Sequence, residues 1–412
     1  MNITEKIKVG IIGFGEMGKR HSREYYEATN GEMIFTAIVE PEELRYQQGC
    51  EWYGQQPAPK RYLTVRKMLE NETLDGLIIA SPNCYHEQNI RDILASNLPL
   101  MLEKPLESEF KKICNIIRLT QSYDAPVMVD HVMRYAPIIQ KAKELIQNGE
   151  IAQVCSFNFV QYHGGGALFS TYRRTLAEGG GQLIEKGTHD LDVAFHLCAA
   201  APRRVTGICR QQKYGGDKPA DLTCSQCPDE KCPSRVKMGA NTGGATKDIN
   251  FSHDLCAYAD VVDAYDNEIA LVECTNGVWG TYRHCFFVRN LYSRRYEIIG
   301  TDGTLYIELS TKEKPGFGKL TLAPNIPDRE NQVFEFDYEG RIHYNGGPNA
   351  GRHLLKMIKG QAKPFTTVED AFAAEMVGIG AMRSSQEKCS LDLVEEVVPK
   401  DLQAAFLSAY MN

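Results

Sequence analysis

Five short apolar runs, separated by stretches of helical periodicity, fill the first third of the chain and leave few folds open to it. They are IKVGIIG, MIFTAIVE, LDGLIIASP, LPLMLEKP and APVMVDHV. Between them lie MGKRHSREYYEATN, PEELRYQQGCEWYG, YHEQNIRDILASN and SEFKKICNIIRLTQSY. Runs this short and this apolar suit strands covered on both faces, and the intervening helices make βαβ units with a parallel sheet. The reading is an α/β, doubly wound domain over residues 1–132.

After the helical pattern APIIQKAKELIQNG the texture changes. VCSFNFVQY, RRVTGICRQ, EIALVECTNGVWGTYRHCFF, RRYEIIGTDGTLYIEL, LTLAP and QVFEFDY read as strands, with hairpin turns at Asn276-Gly277 and Asp302-Gly303. Residues 133–412 are therefore expected to form a second α/β domain around a large, open, mostly antiparallel sheet. Helices are expected at roughly 349–360 and 368–387, and an insertion rich in Gly, Cys, Lys and Asp at about 215–256. A chain of 412 residues with 43% hydrophobic content is long enough for two or three cores.

Gly13-Phe14-Gly15-Glu16-Met17-Gly18 follows the first apolar run and opens the first helical pattern. The first glycine allows a tight turn, the second lets a pyrophosphate approach the backbone, and the third lets the helix pack on the strand. The second run ends in Glu40, where a carboxylate can accept hydrogen bonds from a ribose. A carboxylate there repels a 2′-phosphate, so the expected cofactor is NAD rather than NADP; Arg45, a few residues on, points the other way. A dinucleotide site makes the first domain a Rossmann fold.

The formal charge of -7 and the dispersal of basic residues argue against a nucleic-acid surface. No apolar run approaches the length of a membrane span and the N-terminus shows no leader pattern. A cytoplasmic protein acting on a small molecule is expected. Most of the thirteen cysteines sit singly inside apolar patterns, as buried thiols do. CSQCPDEKCPSR is different: Cys224, Cys227 and Cys232 are spaced C-x2-C-x4-C in a polar segment, as thiolates converging on structural zinc are. The fourth ligand is Cys256, or His253, or else the thiols are simply reduced in a loop.

In GGGQLIEKGTHDLDVAFHL, Glu185 and His189 are four apart, so a helix would place them on one face, with Asp192 nearby. A histidine beside a carboxylate can exchange a hydroxyl proton near neutral pH, although a lone buried histidine is ordinarily a satisfied core residue. Lys104, in the run LPLMLEKP, stands at a strand end, either as a solvated charge or as an ammonium facing the ligand crevice.

With GFGEMGKRH, ASPNCYH and LEKP in that order, followed by MRYAPIIQKAKELIQNGEI, GGGQLIEKGTHDLDVAFHL, YEIIGTDGTL and FTTVEDAFAAEMV, nearly the whole chain resembles the Gfo/Idh/MocA family of NAD(P)-dependent oxidoreductases. The resemblance implies pyridine-nucleotide chemistry on sugars or cyclitols. It places Lys104 beside the nicotinamide, after Glu103 and before Pro105. It assigns the acid and the catalytic histidine to Glu185 and His189, although many relatives carry Asp at the position of Glu185. Ser81, Pro82, Asn83 and His86 should line the cofactor side, with His86 more structural than chemical. His131, Arg134, Tyr162, His163, Lys186 and Asp192 are candidates near the substrate, and His21 should support the loop. The resemblance also implies a homodimer or homotetramer built on the open sheet. Relatives with a similar cysteine-rich insertion resemble residues 224–256. Some relatives use the same hydride step to cleave glycosides, and a non-catalytic sugar or nucleotide sensor is a third reading.

Overall fold

A computed structural model of the chain describes residues 6–164, 166–236, 254–288, 293–309, 316–338 and 342–411. Internal contacts divide it into two compact units, Met1–Ile139 with Ile342–Phe372, and Gln140–Arg341 with Ala373–Asn412.

The first unit contains six strands, β1 (Ile7–Ile12), β2 (Met33–Val39), β3 (Lys60–Tyr62), β4 (Gly76–Ile79), β5 (Leu100–Leu102) and β6 (Val127–Val129). They are all parallel, in the order β3-β2-β1-β4-β5-β6. The helices between them are α1 (Glu16–Ala28), α2 (Glu43–Tyr53), α3 (Val65–Asn71), α4 (His86–Ile93) and α5 (Phe110–Gln121). The order reverses between β1 and β4, so a crevice opens at the carboxyl ends of these two strands. Val9, Ile11, Ile78, Met101 and Met128 are fully buried, as strands covered on both sides must be. The five apolar runs account for five strands. β3 is the sixth, and its sequence KRY gave no apolar signal because it is a three-residue edge strand paired only with β2.

This unit is larger than residues 1–132. The helix Gly346–Ile358 returns to it, and Ala350, Leu354, Leu355 and Met357 enter one cluster with Tyr25, Phe35 and Val132. Its apolar face has no cover within its own stretch of sequence, so it closes a core begun more than half a chain earlier.

Among the described residues the second unit has nine strands: β7 (Val154–Tyr162), β8 (Pro202–Arg210), β9 (Asn267–Cys274), β10 (Trp279–Cys285), β11 (Ser293–Gly300), β12 (Gly303–Leu309), β13 (Phe317–Pro324), β14 (Gln332–Asp337) and β15 (Leu391–Asp392). Their order is β14-β13-β12-β11-β7-β10-β9-β8-β15. All neighbours are antiparallel except β7 and β10. The chain turns at Asn276-Gly277 and near Asp302-Gly303, joining β9 to β10 and β11 to β12; Gly277 takes φ +84, whereas Gly303 is not left-handed and begins β12. Helices α6 (Pro137–Gln147), α7 (Leu176–Gly179) and α8 (Thr188–Cys198) follow the chain order, and every residue of α8 is buried. Along β7 the odd residues Phe157, Phe159 and Gln161 are buried, and Phe157 meets Phe195 of α8. The other face exposes Ile208, Leu271, Trp279, Tyr306 and Val333. Among the described residues no helix is long and apolar enough to cross a membrane.

Candidate active site

The turn after β1 is built as its glycines predict. Gly13 has φ +91, and a Cβ there would lie 2.5 Å from the backbone of Ser81. A Cβ on Gly18 would lie 2.2 Å from the carbonyl oxygen of Gly13, so α1 packs directly on the turn. Gly15 is the opposite case: a Cβ there would meet nothing within 4 Å. The open space lies at the N-cap of α1, where unpaired amides favour an anion. Phe14 is buried and Met17 packs against the core, while Glu16 is exposed and pairs with Arg20. The residues fit a dinucleotide's pyrophosphate.

Glu40 is 2% exposed and follows β2 directly. Its Oε2 accepts the Phe14 N–H at 3.0 Å, its Oε1 accepts the Glu42 N–H at 3.0 Å, and Arg45 lies 3.5 Å from Oε1. The acid thus fastens the glycine turn, a task that its place in the sequence did not disclose. After β4, the Ser81 hydroxyl accepts from Asn89 at 2.8 Å, Pro82 caps the short helix Asn83–Tyr85, and Asn83 is buried. His86 spans two loops: its Nε2 lies 2.9 Å from the Ser81 carbonyl and its Nδ1 3.1 Å and 3.0 Å from those of Pro105 and Leu106. Burial lowers its pKa despite these carbonyls. The structure thus gives His86 a bracing position between the two loops.

Glu103 and Lys104 leave the end of β5. Glu103 Oε2 accepts the Lys104 N–H at 3.0 Å, and its Oε1 lies 2.7 Å from His21 Nε2. Asp130, just past β6, lies 3.6 Å from the same His21 nitrogen, and all three side chains are buried. Among the described residues this is the set of His, Cys, Asp or Glu groups whose ligand atoms all lie within 4.8 Å of one another. Burial pushes Glu103 up, but the hydrogen bond and charge of His21, with Lys104, bring it down to about 2. Burial and the Glu103 charge push Asp130 up to about 8. His21 is raised: burial lowers it, and Glu103 and Asp130 more than compensate.

Arg134 is occupied within its own unit. It donates to Asp370 at 2.9 Å and to the Phe365 carbonyl at 3.0 Å, and both charged side chains are buried. His131, three residues before it, is fully buried.

In the second unit, residues 183–187 form a π-helical turn that runs into α8, so Glu185 and His189 are joined across a widened turn rather than a uniform α-helix. Glu185 is 3% exposed; its Oε1 accepts from Arg173 Nε at 2.6 Å and lies 3.8 Å from Lys186. His189 is buried on α8 beside Asp190. Asp190 is held by Tyr282 at 3.0 Å, by the Tyr296 hydroxyl and by Arg294 at 3.2 Å. With its amide oriented to satisfy both ends, Gln161 donates to Asp190 at 3.0 Å and accepts from Arg294 at 2.7 Å and His163 at 2.9 Å. His163 stacks on Phe286, and burial, followed by the charges of Arg294 and Lys186, holds its pKa well below the usual value. His163 therefore belongs to the network beneath α8 as a neutral ring.

Tyr162 and Asp192 make contacts of other kinds. Tyr162 follows Gln161 on β7 and so points to the opposite face, where Arg283 and Arg295 lie over its ring. Asp192 is fully buried and accepts from Tyr410 at 3.2 Å. Asp130, Arg173, Asp190 and Arg294 were missed, because single charged residues inside strand and helix patterns carry no spacing signal. Asp190, directly after His189, was the one in reach.

Cys224 and Cys256 flank the antiparallel bridge Thr223↔Leu255; the Cys224 N–H donates to the Asp254 carbonyl and the Cys256 N–H to that of Leu222. By strand alternation both side chains share one face. Burial raises the Cys224 thiol, helped by Cys256, Asp254 and Cys232 beside it. Cys227 and Cys232 are partly buried, and among the described residues no three of the four sulfurs gather within 4.8 Å. His253 lies outside the described residues.

Comparison with known proteins bears on the whole arrangement. Residues 7–131 match the oxidoreductase family with an NAD-binding Rossmann fold, and residues 139–306 match the GFO/IDH/MocA C-terminal domain. The chain is 27% identical over 153 residues to an inositol 2-dehydrogenase of Corynebacterium glutamicum, covering 37% of this chain and 44% of that protein. It is 25% identical over 211 residues to the rhizopine catabolism protein MocA of Rhizobium meliloti, covering 51% of this chain and 63% of that one. It spans about half the length of these relatives. The solved structure of a levoglucosan dehydrogenase in complex with NADH and levoglucosan shares the fold, with a TM-score of 0.72 at 16% identity over 94% of this chain and 99% of that one. With residues 7–131 and 139–306 matched by the family's N-terminal and C-terminal domains, the protein belongs to the Gfo/Idh/MocA oxidoreductase family.

Proposed function

We propose that the protein is an NAD-dependent oxidoreductase that moves hydride to or from a secondary hydroxyl or keto carbon of a sugar, sugar derivative or inositol. The observation that carries this is the first βα turn, closed at Gly13 and Gly18, open at Gly15 and backed by buried Glu40. The amides at the start of α1 would hold the pyrophosphate, Glu40 the ribose, and residues 81–83 the cofactor's far side. NAD, when bound, supplies the hydride acceptor. Lys104 would steady the negative charge that grows on the reacting oxygen as hydride leaves, since a fixed ammonium needs no reorganisation to do so. His189 would take the hydroxyl proton. Glu185, held by Arg173, would orient the site rather than exchange protons itself. The inositol and levoglucosan dehydrogenases among its relatives support the substrate class.

The test is a screen of myo-inositol, levoglucosan and aryl glycosides with NAD, following NADH and aglycone together. A dehydrogenase accumulates NADH in proportion to substrate, whereas a glycosidase releases aglycone without lasting NADH. On the substrate found, Lys104→Ala should lower turnover by roughly 10²–10³ while NAD binding is unchanged. His189→Ala should lower it by about 10²–10⁴ and flatten the pH profile. Full turnover by Lys104→Ala would overturn the reading.

The same reading includes two finer elements. Copies of the chain would pair into a homodimer or homotetramer through the outer sheet face that exposes Leu271, Trp279 and Tyr306. Cys224, Cys227, Cys232 and Cys256 would hold a structural zinc, supported by their spacing and by the shared face of Cys224 and Cys256.

A further inference from the structure

Behind Lys104 lies a group of buried ionisable side chains that the hydride chemistry does not itself require. Glu103 accepts the Lys104 amide at 3.0 Å and meets His21 at 2.7 Å, and a carboxyl oxygen of Asp130 lies within 4.8 Å of one of its own. Asp130 also receives the Tyr25 hydroxyl, weakly, at 3.4 Å. Two carboxyl groups this close within a dry site cannot both be anions without strong repulsion, so one of them holds a proton. Geometry says which. Glu103 already accepts from an amide and an imidazole, both of which favour the anion, whereas Asp130 has only the phenol and shares the imidazole at 3.6 Å. The proton belongs on Asp130.

We propose that His21, Glu103 and Asp130 form a proton-holding bracket that positions Lys104 through Glu103, with Asp130 as its titrating member. This deepens the oxidoreductase reading and rests on Lys104 being the group that steadies the reacting oxygen. With Asp130 protonated, Glu103 is the anion bonded to the Lys104 amide. When Asp130 gives its proton to water, no electrons move and the bracket gains one negative charge. That charge competes with the reacting oxygen for the Lys104 ammonium and repels the Glu103 carboxylate beside it. The groups facing Asp130 are His21, Glu24 and Tyr25 from α1 and Glu103 from the end of β5; Lys104 and His86 face Glu103, and Tyr135 faces Tyr25. Burial and the Glu103 charge put the release near pH 8.

The test uses the full chain saturated with NAD, with lysines reductively ¹³C-methylated and histidines ¹⁵N-labelled, titrated from pH 5 to 10 by NMR. The Lys104 methyl signal and the His21 ring signal should both show an inflection within about one unit of pH 8. In Asp130→Asn, which keeps the shape but cannot ionise, the Lys104 inflection should vanish and the His21 signal should keep only its own protonation step, so that no inflection is shared. A merely structural Asp130 would move neither signal. Absence of a common inflection in the unmodified protein, or its survival in Asp130→Asn, would overturn the proposal; the first outcome needs no variant to fold. Failure of the Lys104→Ala assay would remove Lys104 from the chemistry without altering these titrations, so the two readings fail separately.

Discussion

Gly13, Gly15 and Gly18 occupy one turn yet should respond to the same substitution in opposite ways. In Gly18→Ala the new methyl would lie 2.2 Å from the Gly13 carbonyl oxygen, so α1 and the turn must part by about 1 Å. Overpacking of this kind typically costs about 1–3 kcal/mol. In Gly13→Ala the clash with Ser81 is compounded by φ +91, where an L-residue loses about a further 1–2 kcal/mol. In Gly15→Ala the methyl meets no protein atom within 4 Å, the backbone is extended (φ -71, ψ -156), and the only cost is a poorer N-cap, about 1 kcal/mol or less. That methyl would instead occupy the space over which a pyrophosphate approaches the α1 amides. Losing two charge-assisted hydrogen bonds of about 1.5–3 kcal/mol each predicts at least a hundredfold rise in the Kd for NAD. The chain has two tryptophans, Trp52 in the first unit and Trp279 in the second, so a Trp279→Phe background leaves Trp52 to report unfolding of the first unit in urea. Calorimetric titration with NAD completes the pair of measurements. Gly15→Ala with normal stability and NAD binding within about threefold of the parent would show that no pyrophosphate crosses that residue.

NAD should bind more tightly than NADP, and replacing Glu40 by Ser with a nearby arginine should narrow or invert the preference, at some cost in stability because the Phe14 amide loses its acceptor; tighter NADP binding by the parent would refute the assignment. Purified protein should carry about one zinc per chain by elemental analysis, and Cys227→Ser should lower metal content and melting temperature more than NAD affinity; a metal-free protein whose four thiols all titrate in the native state would refute the site. Asp370→Ala removes the carboxylate that balances buried Arg134 and should cost about 3–5 kcal/mol in chemical denaturation, whereas a loss below about 1 kcal/mol would mean the pair is not needed for the fold.

What the sequence disclosed was whatever depends on near neighbours. Strands buried on both faces announce themselves as unbroken apolar runs, and the glycine turn carries its mechanism in three letters. β3 is invisible for the converse reason: at an edge, charged residues are tolerated and even useful. The side on which Tyr162 lies follows from strand parity, but only once Gln161 is known to face inward. Arg134 meets Asp370, 236 positions away, and His21 meets Glu103 across 82, and no local pattern encodes such partners. The finding at Glu40 is of another kind: the residue was identified for its chemistry, and its hold on the Phe14 amide emerged only from the fold.

The return of Gly346–Ile358 to the first unit constrains how the protein can be made and cut. A ribosome delivers β1 to β6 early, yet Leu354, Leu355 and Met357, which close that core, emerge only after β7 to β14 have been made. Until then the surface beside Tyr25 and Val132 is an apolar scar open to chaperones and to misassociation. The same feature means that a fragment ending at residue 139, although it contains every strand of the parallel sheet, lacks part of its own interior. A dinucleotide-binding module cut from this protein would have to be stitched from two distant pieces of gene rather than excised as one.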